Sequence, residues 1–195
     1  MEGRYAEARR LHRASIELAD ELGLHMSAKS QVRWFIERFG GDLGEAERVL
    51  ADDVATAGRL GERSFRSTTA LYYGDVLYEL HRDAEAAAAC DLAEELSPPD
   101  DIVNEAGIRA VRARLLARHG VHDDARSLAE EAWQIAERTD YYHLRTYVLE
   151  ALAEVRLRAG DRDAARAAAE QADAEWHAKG ALVRPIPLQR LLAEL

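Results

Sequence analysis

The chain has 195 residues, 48% of them hydrophobic, enough to bury a real core and to form one domain or one continuous array of repeats. Its 36 acidic against 26 basic residues give a net charge of -10, which disfavours binding to nucleic-acid phosphates through the overall field. The start, MEGRYAEARR, lacks the apolar stretch of a secretory leader, no apolar run is long enough to span a membrane, and the single Cys90 excludes an intramolecular disulfide, so a cytoplasmic location is expected.

Residues 4–22 read as a helix, with Leu11, Ile16, Leu18 and Leu22 apolar. The phrase that opens it, GRYAEA from Gly3, returns as GDLGEA from Gly41, HRDAEA from His81, GVHDDA from Gly120 and GDRDAA from Gly160. The closing alanines Ala8, Ala46, Ala86, Ala125 and Ala165 stand 38, 40, 39 and 40 residues apart, so the repeat is the structural unit. Fifteen residues past each alanine come Gly23, Gly61, Asp101, Asp140 and Gly180, positions where a helix ends and glycine supplies positive φ. Each repeat therefore contains a helix, B, of about four turns after the alanine.

Between that marker and the next phrase lies another helix-forming run. SFRSTTALYYGDVLYEL, NEAGIRAVRARLLARH and YHLRTYVLEALAEVRLRA lack proline and carry apolar residues at mixed i, i+3 and i+4 spacing. These are the A helices. The expected fold is all-α, an α-solenoid of antiparallel helix pairs: an incomplete first repeat over 1–23, repeats at 24–61, 62–101, 102–140 and 141–180, and a capping segment over 181–195. In the cap, Pro185 and Pro187 precede one apolar stripe of Leu188, Leu191, Leu192 and Leu195. The first B-type helix has no preceding A helix, which leaves an apolar face and favours a homodimer; a monomeric mass at high micromolar concentration would count against it.

The stretch HGVHDD, His119 to Asp124, holds enough donors to suggest a metal site. It occupies an A-to-B turn where the other repeats carry GGDLGE, LHRDAE or AGDRDA, so glycine for the left-handed turn and aspartate for helix capping account for it. No metal and no cofactor is expected. P-loop, dinucleotide-binding, zinc-protease, C-x-x-C and nucleophile-elbow patterns are absent from the sequence, the paired acids read as solvated faces, and the seven histidines are scattered, so the expectation is not an enzyme. Cys90, in an alanine-rich run, reads as a small buried side chain.

A two-helix unit with glycine in its turn and the phrase G-D-x-x-E-A resembles the tetratricopeptide repeat. That family also places a small residue twelve positions before the helix-B alanine, matched by Gly74, Ala113 and Ala153 while Trp34 departs. Its large apolar residue nine before the alanine is matched by Leu77 and Leu116, while Glu37 and Arg156 depart. The longer, alanine- and arginine-rich repeats are similar to the C-terminal arrays of large bacterial signalling ATPases and transcriptional regulators. The resemblance implies a protein or peptide partner bound along a concave groove lined by A helices. By the turn alignment those groove positions are Gln31, Phe35 and Arg38; Leu71, Asp75, Tyr78 and Glu79; Ala110, Arg114 and Arg118; and Tyr147, Glu150, Glu154 and Arg158. Arg114 and Arg118, four apart, either fork onto an external carboxylate or phosphate or form ion pairs within the array. The family's clamp for chaperone C-termini needs groove asparagines, and Asn104 is the only asparagine. The alternative to a peptide groove is a sensor of a small molecule or signal peptide, favoured by an enclosed apolar pocket.

Overall fold

In a computed structural model, which describes residues 2–24 and 29–195, the described chain forms ten helices and no strand. They are α1 Tyr5–Glu21, α2 Lys29–Gly40, α3 Leu43–Leu60, α4 Arg63–Glu79, α5 Asp83–Leu96, α6 Ile102–Arg118, α7 His122–Ala136, α8 Tyr142–Arg158, α9 Arg162–Ala178 and α10 Ile186–Glu194. Consecutive helices pack on one another, so the fold is an all-α, solenoid-like array. Among the histidines, His25 lies outside the described residues.

The turns explain the phrase. Its first residue is left-handed in all five copies, with φ of 74° at Gly3, 84° at Gly41, 60° at His81, 79° at Gly120 and 83° at Gly160. At most of these ends the chain closes as a Schellman cap; the Val121 amide, for example, donates to the Leu116 carbonyl and Gly120 to Ala117. His81 is the one copy with a side chain there, and an L residue is strained in that region. His81→Gly is expected to stabilise the protein by about 0.5–1 kcal/mol after the added freedom of the unfolded chain is offset, read as a higher urea midpoint.

The second marker behaves as expected at Gly23, Gly61 and Gly180, all left-handed. It differs at the two aspartates. In PPDD the left-handed residue is Asp100, and Asp101 instead N-caps α6 by accepting from the Asn104 amide at 3.1 Å. At the end of α7 no left-handed residue is needed, because the Thr139 hydroxyl donates to the Ala136 carbonyl at 2.8 Å. Capping by the turn aspartates is likewise partial. Asp42 and Asp161 cap α3 and α9, whereas Asp83, Asp123 and Asp124 sit inside the first turns of α5 and α7 and meet the positive ends of their dipoles.

Two layers follow from the distribution of apolar residues. The A helices α4, α6 and α8 bury nine or ten residues each, and the B helices α3, α5, α7 and α9 only four or five, so the former make an inner layer and the latter an amphipathic outer one. Ala46, Ala86, Ala125 and Ala165 are completely buried at the contact between layers, while Ala8 is half-buried. Gly74 shows how close that contact is: a Cβ there would stand 3.3 Å from both the Ala86 carbonyl and the Cys90 Sγ.

Helix α2 is the exception, and it shapes the interior. Trp34 takes the place of the small residue, and its indole lies flat on Tyr72 of α4 with ring centroids 4.2 Å apart. Further along α2, Phe35 meets His143 of α8 edge-on at 4.6 Å, and Phe39 meets Trp176 of α9 at 5.3 Å. Helix α2 thus bridges α4 to α8, and α2, α4, α6 and α8 close into a bundle. Helix α10 lies against one end of it, with Leu188 and Leu191 buried and Ile186 against Gly41. On α1, Ile16 turns partly inward, while Leu11, Leu18 and Leu22 are 54%, 56% and 64% exposed along one stripe.

Candidate functional site

The thirteen non-alanine groove positions separate into three places, and Ala110 is fully buried. Nine of them, Arg38, Tyr78, Glu79, Arg114, Arg118, Tyr147, Glu150, Glu154 and Arg158, surround a polar cavity of about 240 Å³ at the α10 end of the inner bundle. Gln31, Phe35 and Leu71 line a second, aromatic cavity at the opposite end, which Tyr147 also touches. Asp75, 2% exposed, lies between them. The concave face is therefore not an open trough; side chains divide it into two cups.

The divider is a buried charge network centred on Asp75. Its carboxylate accepts from the Trp34 indole at 2.8 Å, the Tyr147 hydroxyl at 3.0 Å, Arg114 at 2.9 Å and Arg38 at 3.3 Å. Arg38 also donates to Glu150, and its guanidinium lies 5.2 Å from the Trp34 ring and 5.0 Å from Tyr147. Arg114 donates to three carboxylates, Asp75, Glu154 at 2.7 Å and Glu79, and lies 4.1 Å above Tyr78. Fork geometry suits arginine to this task, and lysine has no equivalent.

Burial and pairing pull the two glutamates of α8 in opposite directions. For Glu154, burial opposes ionisation, but Arg114 and the Tyr78 hydroxyl overcome it and bring its pKa down to about 2. For Glu150, burial wins over Arg38 and the Trp176 indole, and the pKa is raised. Tyr78 is pushed up to about 12, chiefly by burial.

Arg114 is thus fully engaged within the array, the second of the two roles open to it from sequence. Arg118 differs. One of its terminal nitrogens donates to the Tyr78 carbonyl at 2.9 Å and to Asp83, its guanidinium stacks 3.5 Å over the Tyr78 ring, and its Nε has no partner among the described residues. At the mouth, Arg158 pairs with Glu154 at 2.9 Å and Arg190 of α10 with Glu79 at 2.9 Å, the former 39% and the latter 56% exposed at the side chain. Arg190 was not visible as a site residue in the sequence: it lies on the polar side of the α10 stripe, and nothing in the repeat spacing indicates where α10 docks. His81, also at this cavity, is marked only as the odd residue at its turn.

Elsewhere the chemistry is structural. In HGVHDD, Gly120 is left-handed, His119 reaches Asp83 at 3.2 Å, and His122 opens α7; among the described residues no three His, Cys, Asp or Glu side chains gather as metal ligands would. Burial raises the Cys90 thiol to about 12, which leaves it unreactive at neutral pH. Trp133, half-buried, carries the Arg145 guanidinium 5.4 Å from its ring. Among the described residues no helix is long and apolar enough to cross a membrane. The sequence matches no known family description and no curated protein.

Proposed function

We propose that the chain is a tetratricopeptide-like recognition module that binds a short segment of a protein partner, with the C-terminal carboxylate of that segment held at the mouth of the polar cavity. The observation that carries this reading is the trio of Arg118, Arg158 and Arg190, whose guanidiniums retain N–H groups beyond those they give to Asp83, Glu154 and Glu79. Buried Arg38 and Arg114 hold the floor rigid, so a carboxylate arriving there meets donors already in place. The acids of the cavity make the site selective, because a partner must present its anion at the rim and nothing anionic deeper. Bacterial regulation and a cytoplasmic setting belong to the same reading, as does self-association through the exposed stripe of α1.

The test is a library of short peptides with free or amidated C-termini, screened in low salt against the wild type and an Arg158→Glu/Arg190→Glu variant of unchanged helicity. Binding that falls at least tenfold on amidation, on added salt and in the variant is expected. Peptides that bind equally in both proteins, or a library with no binder, would overturn the assignment.

A further inference from the structure

The second cavity has different chemistry. It measures about 250 Å³ and opens at the N-terminal ends of the inner helices, opposite α10. Trp34, Phe35, Tyr72, Tyr141, His143 and Tyr147 face it. The space exists partly because Gly107 of α6 has no side chain: Leu71 leans onto the bare backbone, so closely that a Cβ at Gly107 would stand 2.6 Å from its methyl carbon. A cavity of roughly 150 Å³ already holds benzene in an apolar interior, so this one has room for one or two fused rings. On its rim Val32 and Tyr141 remain 46% and 43% exposed.

Two features narrow the occupant. His143 Nδ1 is buried and has no hydrogen-bond partner among the described residues, although the ring is held between Phe35 at 4.6 Å and Tyr142 at 3.8 Å. Burial, aided by Arg38, lowers the His143 pKa to about 4, so the imidazole is neutral at neutral pH and adds an uncharged ring to the wall. Arg38, against the Trp34 and Tyr147 rings, has its charge met by Asp75 and Glu150, and no carboxylate lines the cavity. A cage for a cationic ligand needs the reverse.

We infer that this cavity binds an uncharged planar aromatic molecule of one or two rings, which packs against Phe35, Tyr72, Tyr141 and the His143 ring. Such a ligand ties α2 to α4, α6 and α8, and its binding stabilises the closed inner bundle over any arrangement in which α2 swings away. This site is separate from the polar cavity, with Tyr147 bordering both.

Calorimetric titration with indole tests it, with tryptamine, which carries an ammonium, as the charged comparison. The expected result is saturable one-to-one binding of indole with a dissociation constant on the order of 100 µM. Tryptamine should bind at least about tenfold more weakly than indole, because its ammonium would meet no carboxylate among the lining residues. Val103→Phe, which fills the cavity, should abolish binding; Val32→Trp at the exposed rim does the same without touching the core, should the former disturb folding. Arg158→Glu/Arg190→Glu should leave indole binding unchanged. Absence of saturable binding, equal affinity for tryptamine, or indole binding that survives Val32→Trp would overturn the proposal.

Discussion

Replacing Arg114 by Met is expected to destabilise the protein by about 3–5 kcal/mol, the cost of leaving buried carboxylates without their cation. Three are affected at once: Asp75 keeps only Arg38, Trp34 and Tyr147, Glu79 keeps Arg190, and Glu154 keeps Arg158 and Tyr78. The effect should grow with pH in a defined window. Glu154 has a folded pKa near 2, below its ordinary 4.5, so its contribution is complete above pH 4.5 and is lost as the pH falls toward 2. In Arg114→Met the loss of its strongest partner lets burial raise that pKa, and the acid limb of the stability curve moves to higher pH. Urea unfolding of both proteins between pH 3 and pH 7 reads the result, and a cost under about 1 kcal/mol at pH 7 would mean the network is solvated.

Glu37→Leu is the second large effect, and its sign opposes the repeat pattern. Leu77 and Leu116 occupy the same position in the next two repeats, so leucine looks like a consensus repair. In the fold, Glu37 is 1% exposed and accepts from Arg9 at 2.9 Å, Arg33 at 2.9 Å and the Asp42 amide at 3.0 Å. Burial opposes its charge, but those three donors still hold the carboxyl below its usual range. It fastens α1 to α2 and caps the end of α2 with a side chain. Leucine there leaves the Arg33 guanidinium, 3% exposed, with Glu45 at 4.0 Å in place of that close pair, and is expected to cost about 3–4 kcal/mol. Hydrogen exchange should show the loss concentrated in α1, with protection of α4, α6 and α8 much less affected.

Much of the architecture was legible in the sequence because it rests on local requirements. A left-handed turn wants glycine and a close helix contact wants alanine, so Gly41, Gly120, Gly160 and the buried alanines display the period openly. Where side chains substitute for these, the signal changes: Thr139 does by hydrogen bonding what a glycine does elsewhere, and Asp101 starts a helix rather than ending one. The inner-face positions were also legible, since i, i+4 spacing fixes a helix face. What lies opposite each of them was not. The meetings of Arg38 with Glu150, of Phe39 with Trp176 and of Arg190 with Glu79 depend on the superhelical rotation accumulated over several repeats, which no short segment encodes. Trp34 marked the departure of α2 from the pattern without giving its direction, and His143 gave no sign in the sequence that its ring would be buried among aromatics.

The closed inner bundle is the claim on which both cavities depend, and the Arg38 to Glu150 contact between α2 and α8 is its most direct expression. A double-mutant cycle with Arg38→Met and Glu150→Gln, read by urea unfolding at pH 7, measures that contact apart from the other partners of each residue. A coupling of about 2–3 kcal/mol is the predicted result for a buried pair joined across 112 residues. Additive single effects would contradict the account: α2 would then not lie against α8, the concave face would be open, and an extended partner segment could run through it.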